Sequence, residues 1–498
     1  MGARTFAVRS AMLRGVEAIP ITVEVSVSQT LPGITIVGNV DLAVMESRVR
    51  VRSACKHADF KVPRECYTVN LAPSEVRKSG TGFDLPIAVA ILAVTDQIST
   101  NGLDDCMFVG ELGLQGDVRE VRGLVAYDAL AREQGLTLVT SDSALPEGTT
   151  ARVCDTLRDV VWGVEELCPV RNLSESFSEE MVPASGLDFA DVVDQELAKR
   201  AFVIAAAGEH GLLMVGPPGA GKSMMAKRMP TILSKLSDRE RAEAMLIHSV
   251  AGQRLESLQF GYRPFRAPHH AISRAGMVGG GRPVTPGEIT LAHHGVLFLD
   301  ELPEFAPNVL QALRQPMEDG EVSVVRAEGN YVFPSDFMLV AAANPCPCGY
   351  LGDPDHECRC PPGRVMAYQA RIGGPLMDRI DVLVDVRRPA PSRIISGEGG
   401  TSSAQMADAV AAAREFASWR LRNAEGRASG SKGSVAEQNL DAKAKTTLDG
   451  VARRLGLGGR NIVRIARVAR TIADLAEKEL VNKDHIVEAC AFRTRASL

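Results

Sequence analysis

The stretch that most constrains this chain is HGLLMVGPPGAGKSMMAKRMP, an apolar run, a loop of glycines and prolines, and then a helical run. Gly216, Pro217, Pro218, Gly219, Ala220, Gly221, Lys222 and Ser223 fit the pattern G-x-x-x-x-G-K-S. Its glycines let successive backbone N–H groups converge on phosphate oxygens, and the following helix adds its positive end. A buried strand must therefore run into this loop and a helix must leave it, which demands an α/β unit with a parallel sheet. In such a loop Lys222 is expected on the β- and γ-phosphates of ATP, and the Ser223 hydroxyl on Mg²⁺.

The metal needs a second acidic ligand, and hydrolysis needs a base. Val296-Leu-Phe-Leu-Asp-Glu301 supplies both about 80 residues downstream of the loop: a buried strand carrying Asp300 to the Mg²⁺ shell and Glu301 to the attacking water. The run FMLVAAAN ends in Asn344, an amide able to touch both γ-phosphate and water without adding negative charge; capping the turn before Pro345 is its structural alternative. Arg371 and Arg379, in RIGGPLMDRID, follow. A cation there suits stabilisation of transition-state charge from a neighbouring subunit.

Four of the ten cysteines lie between these motifs, in NPCPCGYLGDPDHECRC. Cys346, Cys348, Cys358 and Cys360 form two C-x-C pairs around a Gly- and Asp-rich loop too polar to bury free thiols. Zn²⁺ takes four tetrahedral ligands, so a structural zinc is the expectation, with His356 able to replace one thiol. The other six, Cys55, Cys66, Cys106, Cys154, Cys168 and Cys490, are scattered and read as small hydrophobes.

At 498 residues the chain exceeds one ordinary domain. Residues 1–170 alternate strand runs (ITVEVSVS, GITIVG, YTVNLAP, MFVGELGL, TLVTSD) with helical ones (AVMESRVRVRSACKHA, DLPIAVAILAV, VRGLVAYDALAREQG). Residues 171–189 are polar and Ser-rich and read as a linker. Residues 190–390 form the α/β core with the Cys-rich loop 344–362, and 391–498 are helical. No stretch approaches eighteen consecutive apolar residues and the start lacks a secretory core, so a cytoplasmic protein with no membrane contact is expected. The net charge of −5 gives no global footprint for nucleic acid; binding would need a local basic stripe or a ring that concentrates charge in a pore.

GPPGAGKS, RPFRAPHHAISRAGMVGGG, PGEITLAHHGVLFLDELPEF, LRQPMEDGEV, AAANPCPCG, GPLMDRID and GGRNIVRIARVARTIADL together resemble the Mg-chelatase-like AAA+ ATPases of the YifB/ComM type over nearly the whole chain. The resemblance implies a P-loop AAA+ core with inserted hairpins, an N-terminal Lon-protease-like domain of S5-type α/β fold, and a C-terminal helical lid. It implies Lys222 and Ser223 in Walker A, Asp300 and Glu301 in Walker B, Asn344 as sensor 1, and Arg379 as the finger, with Arg371 second. Arg460 is implied as the lid arginine, with Arg464 and Arg467 in competition. It further implies a homo-oligomer, a hexamer by family analogy, acting on single-stranded or branched DNA as a helicase that promotes branch migration in recombination and natural transformation.

Aligned with the Lon nucleophile loop, RKSGTGFDLPIA puts Gly82 where the serine belongs, and GELGLQGDVREVRGLVAY puts Val125 at the lysine. Ser79 and Lys78 are adjacent on one loop and make a poor dyad, so a scaffold without protease activity is expected. For DNA the candidates are Arg263, Arg266, His269, His270, Arg274 and Arg282 between the Walker motifs, and Arg326 and Tyr331 near the tip of a second hairpin. Solvated loops or subunit contacts are their bland alternative, and His269-His270 could equally serve nucleotide sensing or subunit packing. A magnesium-chelatase motor subunit and a protein-remodelling ATPase remain as rival readings.

Overall fold

The computed structural model describes residues 4–29, 31–61, 63–176, 186–326, 329–372, 376–396, 400–424 and 435–493. At its centre, strands Phe265–Arg266, Val296–Leu299, Met338–Ala343, Leu212–Val215 and Val382–Asp385 lie side by side in that order, all parallel. The three inner strands are buried at every position, because helices cover both faces of the sheet. Alternation along one strand divides the core: Leu212 and Met214 pack with helices Glu196–Gly208, Ser403–Ala424 and Gly459–Leu475. Leu213 and Val215 face Met277, Ile289, Leu302 and Leu313. Register then sets the site. Val215 pairs with Ala343 and Leu299 with Ala341, so the P-loop, Asp300 and Asn344 all leave the sheet at its carboxyl edge.

The N-terminal region forms a seven-stranded mixed sheet in the order Arg152–Val153, Thr137–Thr140, Cys106–Phe108, Arg4–Arg14, Glu17–Ser28, Cys66–Ala72, Gly33–Val37. Ile21, Val23, Val25 and Val27 alternate into its core, and helix Asp84–Val94, buried at all eleven positions, lies against the same face. The strand Arg4–Arg14 was not among the expected elements. Ser10 puts a polar side chain at a buried position and opens a run of three buried residues, Ser10 to Met12, that breaks its alternation, and its partners lie at Glu17–Ser28 and Cys106–Phe108.

The segment read as a linker is only partly one. Arg171–Asn172 pairs with Ala144–Leu145, and Phe189 is fully buried with its ring 5.3 Å from Phe202. Burial of one large aromatic ring is worth a few kcal/mol, roughly 2, which anchors this end of the segment in the central core. Among the described residues the N-terminal region meets the centre at several places, helix Leu173–Ser176 against Glu256–Gln259 among them. Helix Leu124–Glu133 lies along Asp238–Val250, where Ser249 accepts the Gly123 and Val125 N–H groups at 3.0 and 3.2 Å. Hairpin Glu321–Arg326/Gly329–Pro334 brings Tyr331 and Phe333 to 3.8 Å from a Cβ built on Gly15. The C-terminal region is helical as expected, with Ser403–Ala424, Ala442–Leu455, Gly459–Leu475 and Lys483–Ala491. No helix among the described residues is long and apolar enough to cross a membrane.

Candidate nucleotide site and cysteine cluster

Gly219 and Gly221 hold φ of +78° and +86°, left-handed values that a side chain would strain, and helix Lys222–Arg228 starts directly after. Lys222 is buried at the mouth of the loop. Its Nζ donates to the carbonyls of Gly216 and Pro217 at 2.8 and 2.9 Å and to Asn344 Oδ1 at 3.1 Å. Burial pushes its pKa down to about 8, with Asp300 and Glu301 pulling the other way. Ser223 Oγ donates to Asp300 Oδ2 at 2.5 Å, so the two groups expected on Mg²⁺ stand within reach of one cation, and the donor set of hydroxyl and carboxylate oxygen suits that ion. Glu301 is exposed and holds φ of +51°, a value uncommon outside glycine; its N–H donates to Asp300 Oδ1 at 2.9 Å.

Sequence reasoning offered His269-His270 for nucleotide sensing but did not foresee the contact with Glu301. His270 Nδ1 lies 3.4 Å from its carboxylate, and the His270 ring packs 4.1 Å from His269 and edge-on to Phe305. The only signal in the sequence was a His pair in the segment between the Walker motifs.

The arginines gather elsewhere. Arg379 precedes strand Val382–Asp385, so it stands at the amino edge of the sheet, opposite Lys222, and pairs with Glu318. There it lines a cavity of about 470 Å³ together with Arg464, Arg467 and Asp381, and the charges of Arg460 and Arg464 reach it. Arg464 Nε lies 3.6 Å from Asp381, while Arg460 and Arg371 are exposed. One chain thus brings Lys222, Ser223, Asp300, Glu301 and Asn344 together and keeps Arg371, Arg379 and Arg460 out of their contacts.

Cys346, Cys348, Cys358 and Cys360 place their sulfurs within 4.8 Å of one another, with three separations of 3.4, 3.6 and 3.7 Å. A tetrahedron with Zn–S of 2.3 Å has edges of about 3.8 Å, so the four thiols fit that ion. Neighbouring N–H and S–H groups, the Tyr350 N–H foremost, hold Cys348 down to about 6. His356 is not a fifth candidate: its Nδ1 accepts from Arg388 Nη1 at 3.0 Å and its ring stacks on Tyr350. Of the scattered cysteines, Cys55, Cys106 and Cys154 are buried, with burial pushing Cys55 up to about 12; Cys168 is exposed, against expectation.

A second cluster, Glu243, His293 and His294, also lies within 4.8 Å. His293 Nδ1 accepts the Asp336 N–H at 3.0 Å, which leaves the ring proton of its neutral form on Nε2, facing Glu243 at 3.5 Å. His294 Nε2 donates to the same carboxylate at 2.8 Å, and with Arg239 it holds Glu243 down to about 2. With the Nε2 protons of both rings turned toward the carboxylate, the group offers no nitrogen lone pair to a metal at its centre, although His293 Nε2 itself is buried without a hydrogen-bond partner among the described residues.

The DNA candidates divide. Arg263 is buried against Glu240 and the Ser234 and His294 carbonyls, and Arg266 forms two 2.7 Å bonds to Glu288, so both are committed to holding the core. Tyr331 packs on the turn at Gly15 rather than standing at a tip. His269, Arg274, Arg282 and Arg326 are exposed, and the Arg326 guanidinium comes within 2.6 Å of a Cβ built on Gly280, so the two inserts lie side by side. In the N-terminal region Val125 is buried in the core, and Lys78 is fully buried, donating to the Gly38 and Pro73 carbonyls.

Comparison with known proteins agrees with this geometry. Residues 188–394 match the family described as magnesium chelatase, subunit ChlI; residues 23–142 match subunit ChlI of Mg-chelatase, and residues 400–493 its C-terminal region. The competence protein ComM of Haemophilus influenzae is 40% identical over 494 residues, covering 97% of this chain and 96% of its own. The chain belongs to the Mg-chelatase-like ComM/YifB family. YifB of Escherichia coli is 38% identical over 489 residues, covering 96% of this chain and 95% of its own. The magnesium-chelatase 67 kDa subunit of Chlorobaculum parvum is 28% identical over 159 residues, 32% of this chain and 23% of its own. Membership of this AAA+ family implies ATPase activity, and with it ATP and Mg²⁺.

Proposed function

We propose that this ComM/YifB-family ATPase is a cytoplasmic, hexameric motor that translocates on single-stranded or branched DNA and promotes branch migration during recombination and transformation. In this reading Lys222 neutralises the β- and γ-phosphates, Ser223 and Asp300 hold Mg²⁺, Glu301 takes a proton from the attacking water, and Asn344 orients that water. The bound Mg²⁺ supplies charge neutralisation at the phosphates. A neighbouring subunit brings Arg379 and the lid arginine, Arg460, to the same phosphates. Placement of these arginines at the edge of the sheet opposite the P-loop supports a ring, since a single chain leaves its own phosphate site without them. We read residues 1–170 as the Lon-protease-like scaffold without protease chemistry, in keeping with Lys78 being tied to two carbonyls, and residues 391–498 as the lid. The four cysteines hold a structural zinc.

The observation that carries the DNA reading is the pair of adjacent inserts with Arg274, Arg282 and Arg326 exposed. Six copies would line a pore with positive charge that the molecule's overall charge of −5 conceals. The test is the steady-state ATPase rate with and without single-stranded DNA, with Glu301→Gln as the blank. Several-fold stimulation is expected. Turnover indifferent to every DNA would sink this substrate and move the weight to a chelatase-type motor or a protein-remodelling ATPase.

A further inference from the structure

Resting on the nucleotide and zinc readings above, we infer that the metal-bound cysteine loop is a brace for the P-loop, so that nucleotide affinity depends on the metal. The loop touches the nucleotide site at three points. At its start, Asn344 accepts from Lys222 only two residues before Cys346. In its middle, Gly349 lies so close to Pro218 that a Cβ there would sit 2.6 Å from the proline Cδ, and its N–H is pinned to the Cys346 carbonyl at 2.9 Å. Across its end, Arg388 acts as a strap. Nε donates to the Pro218 carbonyl at 3.2 Å, Nη1 donates to His356 at 3.0 Å, and the guanidinium lies 5.4 Å from the centre of the Tyr350 ring.

Apart from the sulfur cluster, the turn is held by short-range ties alone: Tyr350 stacks on His356 at 4.9 Å, the Asp353 N–H donates to the Tyr350 carbonyl at 3.1 Å, and the His356 N–H donates to Asp353 Oδ1 at 3.1 Å. Nine residues separate the two C-x-C pairs, and the turn they enclose is polar, so hydrophobic packing cannot hold it closed. A tetrathiolate metal closes that loop and fixes Tyr350, Asp353 and His356 in the positions Arg388 uses; without it, Arg388 and Gly349 lose the surface that presses on Pro218. On its other side the loop is tied to helix Pro362–Ile372, where Gln369 donates to the Pro345 carbonyl at 3.1 Å.

The experiment uses the full chain and three measurements: zinc per chain, the affinity for a fluorescent ADP analogue, and the thermal unfolding midpoint. Wild-type protein is expected to carry about one zinc per chain. Stripping it with a chelator should weaken ADP binding about tenfold, the scale of one lost charge-assisted hydrogen bond, and restoring Zn²⁺ should reverse the loss. Cys358→Ser should lose metal and affinity together. Arg388→Ala leaves all four ligands in place, so it tests the strap even where the cysteine variant fails to fold: unchanged zinc with weakened ADP binding is expected. Affinity indifferent to zinc removal and to Arg388→Ala, or wild-type protein that binds ADP tightly without metal, would overturn the brace and leave the nucleotide reading intact. Zinc-loaded wild-type protein that binds no ADP would overturn both.

Discussion

Two lysines in this chain are buried in almost the same way, and only one of them sits in a site. Lys78, fully buried in the N-terminal region, and Lys222, 8% exposed in the P-loop, each give hydrogen bonds to two backbone carbonyls, and burial pushes both pKa values down. What differs is the company. Lys222 also reaches Asn344 and stands in the field of Asp300 and Glu301, at an edge where three strands deliver their loops together. For Lys78, burial lowers the pKa with no carboxylate pulling it back up. A buried ammonium alone is a tie between two loops; the same ammonium beside convergent metal-binding oxygens is one half of an anion site waiting for the other half.

The largest effect should come from the groups that only the second lysine has. Replacing Glu301 with Gln keeps the shape and removes the base, so ATP turnover should fall by about 10² to 10³ while nucleotide still binds. Equilibrium binding beside steady-state hydrolysis reads both, and undiminished turnover would remove Glu301 from its role. Lys78→Met should do the reverse. The Gly38 and Pro73 carbonyls lose their donor, at a cost of about 1–3 kcal/mol in stability, while turnover per folded chain is unchanged. A drop in turnover without a drop in unfolding midpoint would mean that Lys78 has chemistry of its own.

This contrast was only half legible in the sequence. The P-loop, both acidic residues, Asn344 and the cysteines were readable because each follows or flanks a short apolar run, and parallel strands deliver their ends to one edge. The helices were readable too; DLPIAVAILAV is the helix Asp84–Val94 to the residue. Lys78 could be named but not understood, since its carbonyl partners are 5 and 40 residues away and backbone acceptors leave no mark in a sequence. The same holds for Arg263 and Arg266, whose partners include Glu240 and Glu288: a charge pattern shows cations but not which of them are already paired. Strand Arg4–Arg14 was missed because its neighbours are set by topology.

The arginines extend the same comparison between bound and available charge. Arg274→Ala with Arg282→Ala should weaken single-stranded DNA binding roughly tenfold and flatten its salt dependence by about one to two counterions, with stability unchanged. Arg263→Ala should cost stability instead, about 1–3 kcal/mol, because two carbonyls lose their donor and Glu240 is left with its Ser237 bonds. A fluorescence anisotropy titration at several salt concentrations, paired with thermal unfolding, separates the two. Identical behaviour of both sets would mean that exposure does not distinguish them.

The smallest effect is also the most direct reading of Lys222. Its pKa in the folded, nucleotide-free chain is about 8 against an ordinary 10.5, so the cost of holding it charged is fully present below about pH 8 and is relieved as pH rises toward 10.5. In that window the unfolded chain binds more protons, and the stability of the empty protein should rise with pH. Phosphate oxygens reverse the balance by favouring the ammonium. At pH 8 the empty site is about half protonated, so ATP binding should take up about half a proton per site, falling towards none at pH 6. Calorimetry at pH 8 in two buffers of different ionisation heat measures this uptake, and Lys222→Arg, which stays charged throughout, should abolish it. A binding heat independent of buffer at pH 8 in the wild-type protein would mean that the lysine is already fully charged, and that the carboxylates at Asp300 and Glu301 outweigh its burial before any nucleotide arrives.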